Sequence, residues 1–168
     1  LIMTIFLLGF MGCGKSTLGK KLAKNLDFNF IDLDDFIEDC ETRTIKEIFE
    51  SYGEDYFRKL ERFYLHKVIN NKNIVISVGG GTPCFFDNIN QMNKNGLTIY
   101  IHMSTKALLN RLKLSNKSRP LIEGMKDIVL KDYINKTIKE REVFYNKSHK
   151  IVNGINLSAK QLQKYCFD

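Results

Sequence analysis

The segment Gly9-Phe10-Met11-Gly12-Cys13-Gly14-Lys15-Ser16 constrains this chain more than any other feature. It satisfies G-x-x-x-x-G-K-[ST], a spacing that a chain of this length meets by chance at a level on the order of one per cent. Its surroundings sharpen the signal. The apolar run Met3 to Leu8 ahead of it reads as a buried strand. Lys15 to Asn25 behind it sets Leu18 and Leu22 on one face, with Leu26 continuing the stripe, the four-residue spacing of an amphipathic helix. A strand, a glycine turn and a helix start let backbone N–H groups and the positive helix end converge on phosphate oxygens, and glycine permits the close approach. In that arrangement Lys15 reaches a transferring phosphoryl group, and the Ser16 hydroxyl coordinates Mg²⁺ bridging two phosphates. The competing reading is an ordinary glycine-rich turn. A phosphate loop does not name its acceptor, but the chain is short and lacks a base-reading N-K-x-D motif, which favours a small kinase over a GTPase.

With 168 residues, 43% hydrophobic and 27% charged, the chain fits one domain over 1–168 with its own core, and no apolar run approaches the roughly 20 residues of a membrane span. The apolar start has no basic leading region and runs straight into the glycine loop, so it is expected to be a strand rather than a leader, with the natural start at Met3. Cys13, Cys40, Cys84 and Cys166 are far apart and form no C-x-x-C pair, which argues against zinc and for reduced thiols in a cytoplasmic protein. Cys13 reads as a tolerated small residue. The net charge of +7 comes from twenty lysines scattered without a dense tract or interleaved aromatics, so the expected partners are phosphate and carboxylate anions, not nucleic acid. Arg43 and Arg62 are expected at the surface. No long apolar surface helix is evident, and a monomer is the default.

Strand and helix patterns alternate from end to end, which implies an α/β fold: a doubly wound, three-layer sandwich with a parallel sheet between helices. The expected strands are Met3–Leu8, Phe28–Asp32, Ile74–Val78, Leu97–His102 and Lys150–Val152, five in all. Helices are expected at 15–25, from the Thr44/Glu47 capping box through Tyr52, and at 54–70, 104–113, 127–145 and 158–166; 114–124 reads as an exposed loop.

The acceptor side is sketched by four features. The second strand carries Phe28, Phe30, Asp32 and Asp34 on one face, turning acidic where it leaves the sheet, the edge at which doubly wound folds bind ligands. Asp32 is placed to order Mg²⁺; Asp34, one pleat further, to accept a hydroxyl proton, with helix capping as its rival role. Asp35 is read as a helix cap. The third strand runs into Gly79-Gly80-Gly81, whose backbone is open to a ligand. Many phosphate-loop proteins end this strand with a metal-linked aspartate, which is absent here, so that duty passes to Asp32. Finally, Ile134, Ile138, Arg141 and Tyr145 share one helical stripe, and an inward guanidinium needs an anion: an internal carboxylate or, the favoured reading, one on the substrate. Arg58 lies beside the Phe57, Leu60, Tyr64, Val68 stripe and is weaker by pattern.

Taken together, Gly9 to Ser16, Phe30-Ile31-Asp32-Leu33-Asp34, Ile48-Phe49 with Gly53-Glu54 and Phe57-Arg58, the Gly79–Gly81 triplet, Arg119-Pro120-Leu121, and Arg141 ahead of Tyr145 resemble shikimate kinase over essentially the whole chain. The resemblance implies a P-loop fold with a mobile lid over roughly 112–124, an acceptor-binding region over roughly 33–61, and phosphorylation of the 3-hydroxyl of shikimate by ATP with Mg²⁺. It implies Asp34, Lys15 and Arg119 as the catalytic residues. ATP contacts fall on Gly9, Met11, Gly12, Cys13, Gly14, Lys15, Ser16, Thr17, Arg111 and Arg119, with Arg111 near the adenine. Shikimate contacts fall on Asp34, Arg58, Gly79, Gly80, Gly81 and Arg141, its carboxylate on the two arginines, and metal contacts on Ser16 and Asp32. The stretch Leu112 to Lys117 carries little of the pattern. The rivals are a kinase for gluconate or a nucleoside monophosphate on the same scaffold, and a silent nucleotide-binding domain.

Overall fold

The three inner strands, Thr4–Leu8, Ile74–Ser77 and Leu97–His102, are flanked by helix-forming sequence, so both faces of each are covered and their residues are apolar in near-continuous runs. The structure, a computed structural model, describes residues 3–115 and 122–167. Its elements follow in the order β1 (Thr4–Leu8), α1 (Lys15–Leu26), β2 (Asn29–Asp32), α2 (Leu33–Glu41), α3 (Ile45–Val68), β3 (Ile74–Ser77), a 3₁₀ turn (Thr82–Cys84), α4 (Asn88–Asn95), β4 (Leu97–His102), α5 (Thr105–Leu114), α6 (Asp127–Tyr145), β5 (Lys150–Asn153) and α7 (Ala159–Lys164). The strands form one five-stranded sheet, all parallel, in the order β2-β3-β1-β4-β5.

β1 is central and buried throughout. Its alternation divides the core: Ile5 and Leu7 pack with Leu18, Leu22, Ile99, Ile101 and Leu162 on one face, Phe6 and Leu8 with Ile37, Leu65, Ile76 and Met92 on the other. Burying each such side chain is worth about 1.5–3 kcal/mol, so this strand is the best-anchored part of the sheet, and the glycine loop departs from its end.

Near Asp34 the structure departs from the sequence reading. The second strand ends at Asp32, as expected, but Asp34 does not continue its alternating face, because Leu33–Glu41 is helix. Asp32, not Asp35, is the N-cap, its Oδ1 accepting the Asp34 amide at 3.2 Å. The first carboxylate of the run Asp32-Leu33-Asp34-Asp35 reaches the open amides, and Asp34 and Asp35 then sit in the first turn, where the helix dipole favours acids. The two helices expected on either side of Gly53 join into one run, kinked at Gly53 (φ 80°, ψ 175°). The Thr44/Glu47 capping box forms as read: Thr44 Oγ1 accepts the Glu47 amide at 3.2 Å, and Glu47 accepts the Thr44 amide at 2.7 Å. α4 and the 3₁₀ turn were not foreseen. Arg119, with Pro120, Leu121 and much of the expected lid, lies outside the described residues.

Candidate active site

Local sequence builds the donor side. Gly14 is the N-cap of α1 in the left-handed region (φ 99°), a conformation costly for other residues, and no side chain caps the helix nor does an acid stand in its first turn. The amides of this turn are therefore left for an anion. Lys15 Nζ donates to the carbonyls of Gly9 (2.7 Å) and Phe10 (3.1 Å), folding the ammonium back across the loop. Ser16 Oγ donates to Asp32 Oδ2 at 2.5 Å and lies 3.5 Å from Ser77 Oγ at the end of β3. Asp32 thus uses one carboxylate oxygen to cap α2 and the other to hold Ser16, joining the two residues read as metal contacts. Arg111, on α5, donates from Nη1 to Cys13 O at 3.1 Å and so lies over the loop. Cys13 is buried, Met11 partly so, and Thr17 faces outward. All four cysteines are free.

The acceptor side is organised by the glycine triplet, because each glycine receives a different side chain where a Cβ would otherwise stand. A Cβ on Gly79 would be 2.9 Å from Asp34 Oδ1 and 3.0 Å from both Glu61 Oε1 and Thr82 Oγ1. One on Gly80 would be 3.0 Å from Arg141 Nη1, and one on Gly81 within 2.6–2.8 Å of the Arg58 guanidinium. The requirement is close approach, not positive φ. Gly80 also abuts the phosphate loop: the same hypothetical Cβ stands 3.5 Å from Gly9 O and 3.6 Å from Met11 N. Donor and acceptor sides therefore meet at Gly80.

Arg58 departs from its sequence reading. It is 6% exposed, on the buried face of α3 with Phe57, Glu61, Tyr64, Leu65 and Val68. What makes an interior arginine tolerable is charge balance. Nη1 donates to Glu61 at 3.0 Å, Nε and Nη2 donate to Glu54 Oε1 at 3.1 and 2.9 Å, and the guanidinium lies 4.2 Å from the Phe85 ring centroid. Glu61, 1% exposed, also accepts the Thr82 hydroxyl at 2.5 Å. Burial pushes its carboxyl up; Arg58, the Thr82 hydroxyl and, more weakly, Arg141 pull it back. Arg141 is half-buried as its stripe implied, 5.8 Å from the Phe10 ring centroid, and among the described residues no carboxylate stands within ion-pair distance of it. Arg43 and Arg62 are surface groups, on Tyr52 and Asp87.

Sequence reasoning missed Glu61, Thr82, Phe85 and the hydroxyl of Tyr145. Glu61 left a faint trace, an acid three residues beyond Arg58 on the same helical face, with Glu54 one turn before.

Fold and site together define a P-loop kinase of the small-molecule kind: a phosphate cradle at the end of the central strand faces, across the carboxyl edge of the sheet, a wall of one aspartate and two arginines. A family model described as shikimate kinase matches residues 11–168, and the chain belongs to the shikimate kinase family. A curated shikimate kinase from Phocaeicola vulgatus is 43% identical over 94% of this chain and 90% of its own length. The crystal structure of shikimate kinase from Bacteroides thetaiotaomicron superposes with a TM-score of 0.94 at 40% identity, covering 98% of each chain. Shikimate kinase from Acinetobacter baumannii, solved in complex with shikimate, gives 0.87 at 29% identity over 97% of this chain and 89% of its own.

Proposed function

We propose that this chain transfers the γ-phosphoryl group of ATP to the 3-hydroxyl of shikimate. The observation that carries the reading is the meeting of Asp34, Arg141 and Arg58 on three successive glycines, with the middle glycine packed against the phosphate loop. A hydroxylated carboxylate suits that wall: its carboxylate lies on the two guanidinium groups, and its hydroxyl turns toward Asp34. Such a transfer needs little covalent help, so the protein's contribution is alignment and charge stabilisation. Asp34 accepts the hydroxyl's hydrogen bond and proton. Lys15 leaves its loop carbonyls for the phosphates, and Arg119, in a lid spanning roughly 112–124, adds a second positive charge and excludes water. Arg111 flanks the adenine.

The donor set fits Mg²⁺. Ser16 and Asp32 present hard oxygens side by side, and among the described residues no three His, Cys, Asp or Glu side chains stand together as a cage, in keeping with an ion held chiefly by nucleotide phosphates and water. Bound there, Mg²⁺ would neutralise developing phosphate charge. Among the described residues no helix is long and apolar enough to cross a membrane. Four free thiols suit a reducing, cytoplasmic setting. Both halves of the site come from one chain, so a monomer suffices.

The test is an ADP-release assay with shikimate, gluconate and nucleoside monophosphates, run on the unmodified chain and on Asp34→Asn. Shikimate alone should stimulate release, and Asp34→Asn should lower turnover by about 100-fold while moving the KM for ATP less than about twofold. Stimulation by another acceptor instead of shikimate overturns the substrate. Near-normal turnover of the variant removes Asp34 from proton transfer.

A further inference from the structure

We infer that Tyr145 is a positioning residue for the acceptor: its hydroxyl holds the Gly80 carbonyl at the point where the Arg141 guanidinium packs, so that one buried group sets two parts of the acceptor wall at once. The inference rests on the proposed phosphorylation of shikimate.

Tyr145 ends α6 and is 0% exposed. Its ring stacks on Tyr100 with centroids 4.8 Å apart and planes tilted by 38°. That packing accounts for the ring but not for the hydroxyl. The hydroxyl donates to Gly80 O at 2.5 Å. Arg141, one helical turn earlier, brings its Nη1 to the same glycine, 3.0 Å from where a Cβ on Gly80 would stand, and its charge is felt at the hydroxyl. A phenol has a single proton, and here the Gly80 carbonyl takes it; toward Arg141 the oxygen can only accept. The nearby guanidinium charge favours that polarity, because it polarises the hydroxyl toward the carbonyl. Burial pushes the hydroxyl above the ordinary tyrosine range, so it remains a donor at working pH.

Two consequences follow for the acceptor. Arg141 has no carboxylate at ion-pair distance among the described residues, and its fork packs on the glycine that Tyr145 holds, so the position of Gly80 sets where the guanidinium waits for a substrate carboxylate. The second concerns the backbone. Across a trans peptide the C=O and the following N–H point in opposite directions. With Gly80 O held on α6, the Gly81 N–H is directed away from that helix. The turn's own hydrogen bonds use the amides of Thr82, to Gly79 O at 3.1 Å, and of Cys84, to Gly81 O at 2.9 Å, which keeps the triplet in shape around that direction. A side chain on Gly80 would crowd the same arrangement, since its Cβ would stand 3.0 Å from Arg141 Nη1.

Tyr145→Phe keeps the stacked ring and deletes only the hydroxyl. The KM for shikimate should rise about tenfold, the scale of one charge-assisted hydrogen bond, with kcat and the KM for ATP unchanged within about twofold. Titration calorimetry with shikimate should show the same loss. In an Arg141→Ala background the substitution should cost less than about threefold, because the shared partner is gone. An unchanged shikimate KM overturns the inference, and so does a parallel loss in all kinetic parameters with a lowered Tm, which would mark a merely structural role. A full tenfold cost in the Arg141→Ala background overturns the coupling. If the unmodified chain does not phosphorylate shikimate at all, it is the function that fails, a result separable from each of these.

Discussion

Glu61 shows how far one side chain's meaning depends on its surroundings. On a helix of this composition an acid reads as surface charge, yet here it holds Arg58 and Thr82 from inside the core and stands beside Asp34 at Gly79. Glu54 grips the same guanidinium from the outer edge, with its side chain 53% exposed. The two contacts look alike on paper and differ in energy. Glu61→Ala leaves a buried guanidinium without its interior counter-charge and should destabilise by about 3–5 kcal/mol. Glu54→Ala, at a hydrated position, should cost less than about 1 kcal/mol. Urea unfolding of both variants checks the difference, and equal losses would show that Arg58 is not balanced from inside. Lys15 and Ser16, by contrast, were legible in sequence because their roles depend on a local spacing that the loop alone imposes. Nothing local distinguishes Glu61 from the other acids of α3, since only packing against the glycine triplet buries it.

Among the elements, the link from β3 to the 3₁₀ turn gains its function from what approaches it. The sequence marked the triplet as open backbone, while the structure assigns each glycine a visitor: Asp34, Arg141 and Arg58. In Gly81→Ala the new methyl meets a guanidinium at 2.6–2.8 Å that Glu54, Glu61 and Phe85 hold in place, so Arg58 cannot simply swing aside. The shikimate KM should rise by at least about tenfold with the KM for ATP unaltered. Gly53→Ala, at φ 80° with open space around it, should cost only about 1–2 kcal/mol of backbone strain and leave both KM values alone. Steady-state kinetics on the pair distinguishes crowding of a ligand site from strain in a hinge; similar kinetics would refute the role of close approach. Long amphipathic elements such as α1 and α6 were readable from their periodicity. α2 was not, because Asp32 belongs at once to the end of a strand and the cap of a helix, and α4 was too short and polar for any period to show.

Across the whole molecule the two ends of the sheet divide the work. Donor and acceptor groups gather where β1 and β3 end. At the opposite end, Thr98 at the start of β4 accepts the His149 amide at 2.9 Å and donates to Asn93 at 2.6 Å, while its own amide donates to His149 Nδ1 at 3.2 Å. This net ties α4, β4 and the approach to β5 without touching the site. Thr98→Val should lower stability by about 1–3 kcal/mol, read as a fall in Tm, with both KM values and kcat unchanged. A kinetic change would mean that the two ends are coupled. The sequence by itself determined the alternation of strands and helices, the phosphate loop, the family and the inward stripe that carries Arg141, because each rests on covalent spacing and on the periods of helix and strand. Only the tertiary structure decided that Arg58 is balanced by Glu61, that Asp32 both caps α2 and holds Ser16, and that Tyr145 and Arg141 meet at Gly80. Those pairings bring together residues up to 65 positions apart, and their chemistry arises where packing removes the water that would otherwise satisfy each group alone.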